Sequence, residues 1–354
     1  MFGSTRTRRA RPRPAAAAVE LAVLLPFLAF IFVVTVDFCR LSYNSVVLHN
    51  SQPVSVRARA VARGAWVAPK IGVIVLDYSG KGTLSDQGNG AATESGAPII
   101  VNSNDPSAAM DTGNGTLISP EFDITGGYTI SGGGQMLTSP VPNNILTGVH
   151  PTPDPLAYLP VASQPPAGTM TKTSLGNGNF QYLLSPGSYS NLPNFNQGDV
   201  VIFQQASAGN GGIYWIQGGF TSNGANLIMD PTTTGGMMFY NDPTNGSNSQ
   251  GFSIAGNATG TVNLSALGDG PYAGMLFWER RDATDAISVT GNGNFSLVGT
   301  FYAANANLAV SGNGNAVIGS QYISRTVSFS GGGATLINYS ANGTARMRII
   351  QLVE

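Results

Sequence analysis

From Ala15 to Val36 the chain carries a single ionisable residue, Glu20. At 1.5 Å per helical residue this run extends about 33 Å, enough to cross a hydrocarbon core. Arg6, Arg8, Arg9, Arg11 and Arg13 precede it with no acid among them, and such an excess of positive charge holds that side of a membrane helix in the cytoplasm. A removable signal peptide is the competing reading. Its apolar region runs about 7–15 residues and ends at a small-x-small site, whereas the run here is longer and Phe27 to Asp37 offers no A-x-A. The stretch is therefore read as a permanent single-pass anchor: a basic cytoplasmic leader over 1–14, bilayer contact over 15–36, and an extracytoplasmic passenger beyond.

Glu20 falls in the first two turns of the membrane helix, where a carboxylate is costly unless it is paired or close to water. It has two readings: contact with a neighbouring subunit's amine or basic group, or an interfacial glutamate that reaches the headgroups and favours a helix N-terminus. Pro26 removes a backbone hydrogen bond and is expected to bend the helix. Arg57, Arg59 and Arg63 are expected on the polar face of a helix continuing out of the membrane, ended by Gly64 or broken at Pro53.

The residues Ala17, Ala18, Val19, Glu20, Leu21, Ala22, Leu24, Leu25 and Pro26, with Asp37, Phe38 and Arg40 after the apolar run, resemble the N-terminal segment of TadE/TadG-like proteins, which belong to the tight-adherence branch of type IV pilus assembly. The family pattern has a Glu-Phe pair; here Leu21 stands in place of the Phe. The resemblance implies a bacterial inner-membrane protein whose helix, with Glu20 and Pro26, contacts other pilus subunits. Counting back from Glu20 as in pilins puts Ala15 where prepilin peptidases take Gly, making Ala15 and Ala16 the point at which a leader would be processed.

The remainder has a different texture. The chain of 354 residues contains 46 glycines and 21 prolines, only 10% of it is charged, and its net charge is −1. With no basic patch beyond the leader and the three juxtamembrane arginines, nucleic acid is not an expected partner. Cys39 is the only cysteine, which excludes an intrachain disulfide and leaves an intermolecular one open.

Short β-prone runs separated by Gly and Asn begin near Lys70, and some of them repeat. ISVTGNGNFSLVGTFYA from Ile287, LAVSGNGNAVIGSQYIS from Leu308 and TVSFSGGGATLINYS from Thr326 share a strand–glycine corner–strand form. Their first corner glycines, Gly291, Gly312 and Gly331, lie about 21 and 19 residues apart, a spacing typical of coiled parallel β architectures. Fainter copies start at Tyr128, Phe220 and Ser253. Within each unit apolar and small polar residues alternate with period two, and the Gly-Asn and Gly-Gly pairs supply corners. Stacked asparagines such as Asn292, Asn313 and Asn257 would form an amide ladder. An antiparallel sandwich accounts for short strands but not for recurrence near twenty residues.

The fold class expected is mainly β: a right-handed parallel β-helix (solenoid) preceded by a single long N-terminal transmembrane helix. The boundaries expected are an anchor and extension over 15–64, a first β block over 65–150, a proline-rich excursion or linker over 151–178 and a main β block over 179–354. Leu184, Pro186, Gly187, Tyr189, Gly212, Tyr214, Ile216, Gly218 and Gly219 resemble units of β-helical passengers found behind Tad-like anchors.

Chemistry-bearing constellations are few. The segment IGVIVLDYSGKG is similar to the metal-binding D-x-S-x-S loop of von Willebrand A domains through Asp77 and Ser79, but Lys81 places an ammonium at the third position and no βαβ alternation follows. It is read as a strand and its turn. Calcium-binding nonapeptide rolls need Asp at corners that here carry Gly-Asn-Gly-Asn. His49 and His150 have no metal-ligand partners at a telling spacing, and no cofactor is expected. Glu279, Arg280, Arg281, Asp282 and Asp285 form the densest charge cluster outside the leader. Paired acids and arginines suit a polysaccharide lyase or hydrolase; a solvated loop of compensating charges between two coils is the plainer reading. Tyr214, Trp215, Phe277 and Trp278 are read as core or coil-stacking residues ahead of a carbohydrate face. The function expected is a non-enzymatic envelope component displaying a β-rod for pilus assembly or adhesion, with an extracellular polysaccharide or surface ligand a further partner. The alternative is an anchored polysaccharide-active enzyme.

Overall fold

A computed structural model of the chain describes residues 14–50, 61–205, 211–244, 250–256, 260–292, 294–312, 314 and 316–353. By contacts it divides into two units, residues 1–62 with 352–354, and residues 63–351. In the first unit α1 (Pro14–Asn50) runs for 37 residues with Pro26 inside it. The Thr35 hydroxyl donates to the Ile31 carbonyl four residues back (2.7 Å), a bond available to a small hydroxylic side chain within a helix. Arg63 and Gly64 lie on a strand, β1 (Val61–Val67), which corrects the expectation of a helix reaching that far; Pro53, Arg57 and Arg59 fall outside the described residues.

The second unit is mainly β. Three strand triplets come first: β2 (Val73–Val75), β3 (Leu84–Asp86) and β4 (Ala91–Ser95); β5 (Ile99–Val101), β6 (Ala109–Asp111) and β7 (Thr116–Ser119); β8 (Phe122–Ile124), β9 (Tyr128–Ile130) and β10 (Gln135–Thr138). After β11 (Ile145–Thr147) the proline-rich segment intervenes. The hairpin β12 (Met170–Gly176) and β13 (Asn179–Leu184) then leads into four more triplets. They are β14 (Gly187–Tyr189), β15 (Phe195–Asn196), β16 (Val200–Phe203); β17 (Ile213–Ile216), β18 (Phe220–Asn223), β19 (Asn226–Met229); β20 (Met238–Asn241), β21 (Phe252–Ala255), β22 (Thr261–Ser265); and β23 (Met275–Glu279), β24 (Ile287–Gly291), β25 (Asn294–Val298). In the last two triplets the first two strands fuse, giving β26 (Thr300–Gly312) with β27 (Ala316–Ile318), and β28 (Gln321–Ser330) with β29 (Thr335–Asn338). β30 (Met347–Val353) pairs with β1 in a separate two-stranded sheet.

The triplets build an 11-stranded and a 17-stranded sheet. Apart from the antiparallel β12–β13 hairpin, the ladders described in these two sheets are parallel, joining each strand to its counterpart in the next triplet. The antiparallel sandwich is thereby removed. All six repeat motifs named above occupy one place: the end of a strand of the larger sheet, a glycine corner, and a strand of the smaller one. Gly291 pairs with Gly312, as the spacing of about 21 residues requires. Leu84–Ser95 and Ala109–Ser119 are two further copies of the same form. Asn257 and Asn313 lie outside the described residues.

The order of stacking differs from the order in the chain. β2 pairs with both β5 and β28, β3 with β6 and β28, and β4 with β7 and β29. The first block thus docks on the last strands of the main block, with Val73 opposite Tyr322, Leu84 opposite Val327 and Ala92 opposite Thr335. The chain leaves one extremity of the stack after β11 and resumes at the other with β12, so the proline-rich segment must cross its whole length. The smaller sheet has ten intervals of about 4.8 Å, roughly 48 Å, and a polyproline-type segment gains about 3.1 Å per residue. Residues 151–168 can therefore make the crossing, and proline suits them because they pair with the strands only through a single bridge at Ala167.

Side chains between the two sheets form the main core. Its spine is a file of rings in register, Tyr214, Phe239, Phe277, Phe301 and Tyr322, with successive centroids 4.9–5.3 Å apart. Each next residue points the other way, giving an outer file of Trp215, Tyr240, Trp278, Tyr302, Ile323 and Ile74. Leu156, Leu159 and Ala162 of the crossing segment cover that file and bury it in a second apolar cluster. Strands such as Met275–Glu279 are consequently buried on both faces, as parallel strands covered on each side are.

Candidate functional site

Two regions carry chemistry or contact surface: the apolar helix, and the clamp beneath the crossing segment. Within α1, Leu24–Tyr43 is a 20-residue apolar stretch, about 30 Å long. Leu25, Phe27, Phe30, Phe32 and Leu41 all project outward unburied. Among the described residues this is the helix long and apolar enough to cross a membrane. A belt of exposed large apolar residues of this length is compatible with a single-pass membrane anchor. Pro26 lies inside the helix; the backbone at Ala15, Ala16 and Glu20 is helical, while their side chains lie outside the described residues. Cys39 is exposed on the same helix.

The charge cluster is split: Glu279 and Asp285 are buried, which corrects the plainer expectation for those two, while Asp282 stays exposed and compensates Arg280. Glu279 is 0% exposed, and both its carboxyl oxygens accept from Asn241 Nδ2 at 2.9 Å, its register partner in the preceding triplet. Burial pushes the Glu279 carboxyl up to about 9, with Asp285 adding to the rise and the Asn241 hydrogen bond opposing it. At neutral pH the group is a neutral acid. Asp285 is buried and accepts from the Gln250 N–H (2.9 Å).

The two arginines face different tasks. Arg280 donates to Asp242 (2.7 Å) and Asp282 (2.6 Å), and these bonds raise its own pKa while Arg280 holds Asp282 below the ordinary carboxylate range. Arg281 reaches the crossing segment. Its Nη2 donates to the carbonyls of Leu156 (2.8 Å) and Leu159 (2.7 Å), and its Nε to the Tyr302 hydroxyl (2.9 Å). Its guanidinium also lies 5.1 Å from the centroid of Trp278. The Tyr302 hydroxyl in turn donates to Asp154 (2.7 Å), and Asn102 exchanges two hydrogen bonds with the Thr152 backbone. A planar guanidinium that satisfies two carbonyls and stacks on a ring is a fastening for which lysine is no substitute. Glu279, Asp282 and Asp285 are thus each committed to internal partners. The partner of Glu279 lies 38 positions earlier, with no local signal to announce it.

The aromatic residues separate by face. Tyr214 and Phe277 belong to the inner file, and Trp215 and Trp278 to the outer file beneath the crossing segment, consistent with the core reading. Asp77 accepts from Ser79 N–H and Gly80 N–H (3.0 Å each) and from Arg325 Nε (3.0 Å). Burial opposes, but these bonds prevail and lower its pKa. The aspartate that resembled a metal ligand closes its own turn instead. Among the described residues no cluster of three or more His, Cys, Asp or Glu side chains could hold a metal ion. A cavity of about 460 Å³ opens where the crossing segment meets the β1–β30 edge, lined by Trp66, Asp154, Tyr158, Pro160, Met347 and Arg348 among others. Its lining is mostly apolar, with Asp154 and Arg348 the charged side chains in it.

Fold and surface together define a mainly β protein carried on one N-terminal apolar helix. Residues 15–51 match the family model of TadE-like protein. No curated protein matches the chain, and no solved structure does.

Proposed function

We propose that this chain is a single-pass, non-enzymatic protein of the bacterial cell envelope, anchored in the cytoplasmic membrane by α1 with its N-terminus inside. Its strands are read as the turns of a right-handed parallel β-helix, the hand expected of parallel crossovers, displayed for pilus-type assembly or adhesion. The observation that carries the proposal is the joining, in one chain, of a TadE-like apolar helix to a long run of parallel ladders in shared register. The resemblance to Tad components supplies the expected partners, other pilus subunits meeting the N-terminal helix around Glu20 and Pro26. The acids that favoured a polysaccharide-active enzyme are tied to Asn241, Arg280 and Gln250, which supports the structural role over the catalytic one.

Cell fractionation tests the anchor and its orientation. The protein is expected to resist alkaline carbonate extraction, and protease added to spheroplasts is expected to digest residues beyond the helix while sparing the leader. Val33→Arg adds about 2.5–3.5 kcal/mol at the helix centre and is expected to release part of the protein from the membrane. Quantitative extraction of the unaltered protein by carbonate would overturn the proposal.

A further inference from the structure

The two extremities of the stack are finished differently. At one, β12 closes β13 in the antiparallel sense. The Lys172 ammonium covers the end of the core there, 3.5 Å from the centroid of Phe180 and 5.4 Å from that of Tyr182. Next to it the crossing segment bonds to Ser188 through Pro166 and Gly168. A charged, antiparallel edge strand is a familiar guard against strand addition.

The other extremity is open. β10 and β9 are the terminal strands of the two sheets, and β11 covers β8 alone. Register carries two core files to this edge: Leu84, Ala109, Tyr128 and Asp86, Asp111, Ile130. Leu84, Ala109 and Asp111 are fully buried, whereas Tyr128 and Ile130 are each 41% exposed. They hold core-facing positions with no further strand above them. Leu137, Val141 and Leu146 add exposed apolar surface within the same turn, and residues 125–149 contain no Asp, Glu, Lys or Arg.

We propose that this open end, formed by β9, β10 and β11, joins the same end of a second copy of the chain. An open turn presents strand edges on two sheets with a slice of core between them. The partner that continues both must have the same cross-section, which another copy has. The closed end blocks head-to-tail stacking, so two open ends meet about a two-fold axis and their strands pair antiparallel. In such an isologous contact the same patch faces itself, residue i meeting j and j meeting i, and only residues at the axis meet their own counterparts. A charged face would repel itself there; a charge-free turn does not. The inference rests on the wound-strand reading given above.

Chemical cross-linking of the full-length protein in detergent micelles tests it, with Cys39→Ser removing the native thiol. A bis-maleimide long enough to span β10, about 14 Å at 3.4 Å per residue, is expected to join Gln135→Cys, on β10, into a dimer and to leave Ser174→Cys, on β12, monomeric. Adding Ile130→Lys places two ammonium groups in the contact and is expected to lower the dimer yield by about tenfold or more, a change of about 1.4 kcal/mol, with the far-UV circular dichroism and melting temperature preserved. Equal cross-linking at both positions, no dimer through Gln135→Cys in protein with a β spectrum, or a yield indifferent to Ile130→Lys would each overturn the inference. The first two point to non-specific contact or a different protein at that end; the third points to association through α1. A folded monomer leaves the wound-strand reading intact, whereas loss of the β spectrum in the unsubstituted protein removes both.

Discussion

Gly88 and Gly331 occupy equivalent corners of two paired strand triplets. A Cβ on Gly88 would lie 2.5 Å from the Gly331 carbonyl oxygen, and the N–H groups of Asn89 and Gly90 donate to that carbonyl at 2.7 and 3.2 Å. The contact splices the first block onto the last. It extends a column in which Gly331 lies over Gly312, Gly312 over Gly291, and Gly113 over Gly88, with added Cβ atoms meeting a carbonyl oxygen at 1.9–2.2 Å in each case.

Any side chain in that column must push two backbone segments apart. Gly312→Ala and Gly88→Ala are each expected to cost about 1–3 kcal/mol, the range for overpacking, and to lower the melting temperature by several degrees. Gly268→Ala, whose new Cβ would find its nearest atom 3.9 Å away, is expected to leave melting unchanged. Thermal circular dichroism of the three variants side by side is the check.

Arg281 fastens the crossing segment through two carbonyls and a tyrosine hydroxyl. Arg281→Ala leaves those groups to find water, at about 1–3 kcal/mol for each one left buried. Hydrogen exchange over residues 150–168 is expected to quicken before the strands are affected. Arg281→Lys keeps the charge and loses the fork, so it should fall between the two.

Stability is expected to fall as pH rises through neutrality. Glu279 and Glu94 are buried, and burial raises both carboxyls from 4.5 to about 9. The native state then holds a proton that the unfolded chain releases. The stability this confers is complete below about pH 4.5 and is lost progressively toward pH 9, at about 1.4 kcal/mol per pH unit for each group. Glu279→Gln and Glu94→Gln are expected to raise the melting temperature at pH 8 and to flatten its decline. The Asn241 carbonyl oxygen is buried without a partner, and a glutamine amide at position 279 can donate to it. Melting curves from pH 5 to 9 would decide this.

Asp77 holds its turn through two backbone N–H groups and Arg325. Asp77→Ala should cost about 0.5–2 kcal/mol, as loss of a comparable cap does, whereas Arg325→Ala should cost under about 1 kcal/mol because that ion pair is half exposed. Added calcium is expected to leave the melting temperature of the unaltered protein where it is.

Much of the local structure was legible in the chain. The apolar run marked α1, the spacing of Gly291, Gly312 and Gly331 marked stacked corners, and the prolines marked a segment that could enter no ladder. Two errors share a cause. The run of arginines suits a helix that ends at Gly64 or breaks at Pro53 with Arg63 on its polar face, but Arg63 and Gly64 belong to β1. Glu279 was read as solvated because its sequence neighbours are charged, yet alternation along Met275–Glu279 aims it inward at Asn241. Glu94 escaped notice although the same alternation, counted from Ala92, buries it.

The sequence by itself determined which residues turn, which alternate and which cannot pair, since φ preference, apolar periodicity and the missing proline N–H act within a few residues. Tertiary structure alone decided which strand edge each block would meet. Parallel pairing of Val73 with Tyr322 depends on matching cross-sections between segments far apart in the chain, and no local property of either segment specifies the other. That choice sends the proline-rich segment across the outer aromatic file, where Arg281 fastens it, and leaves Tyr128 and Ile130 at an uncovered end.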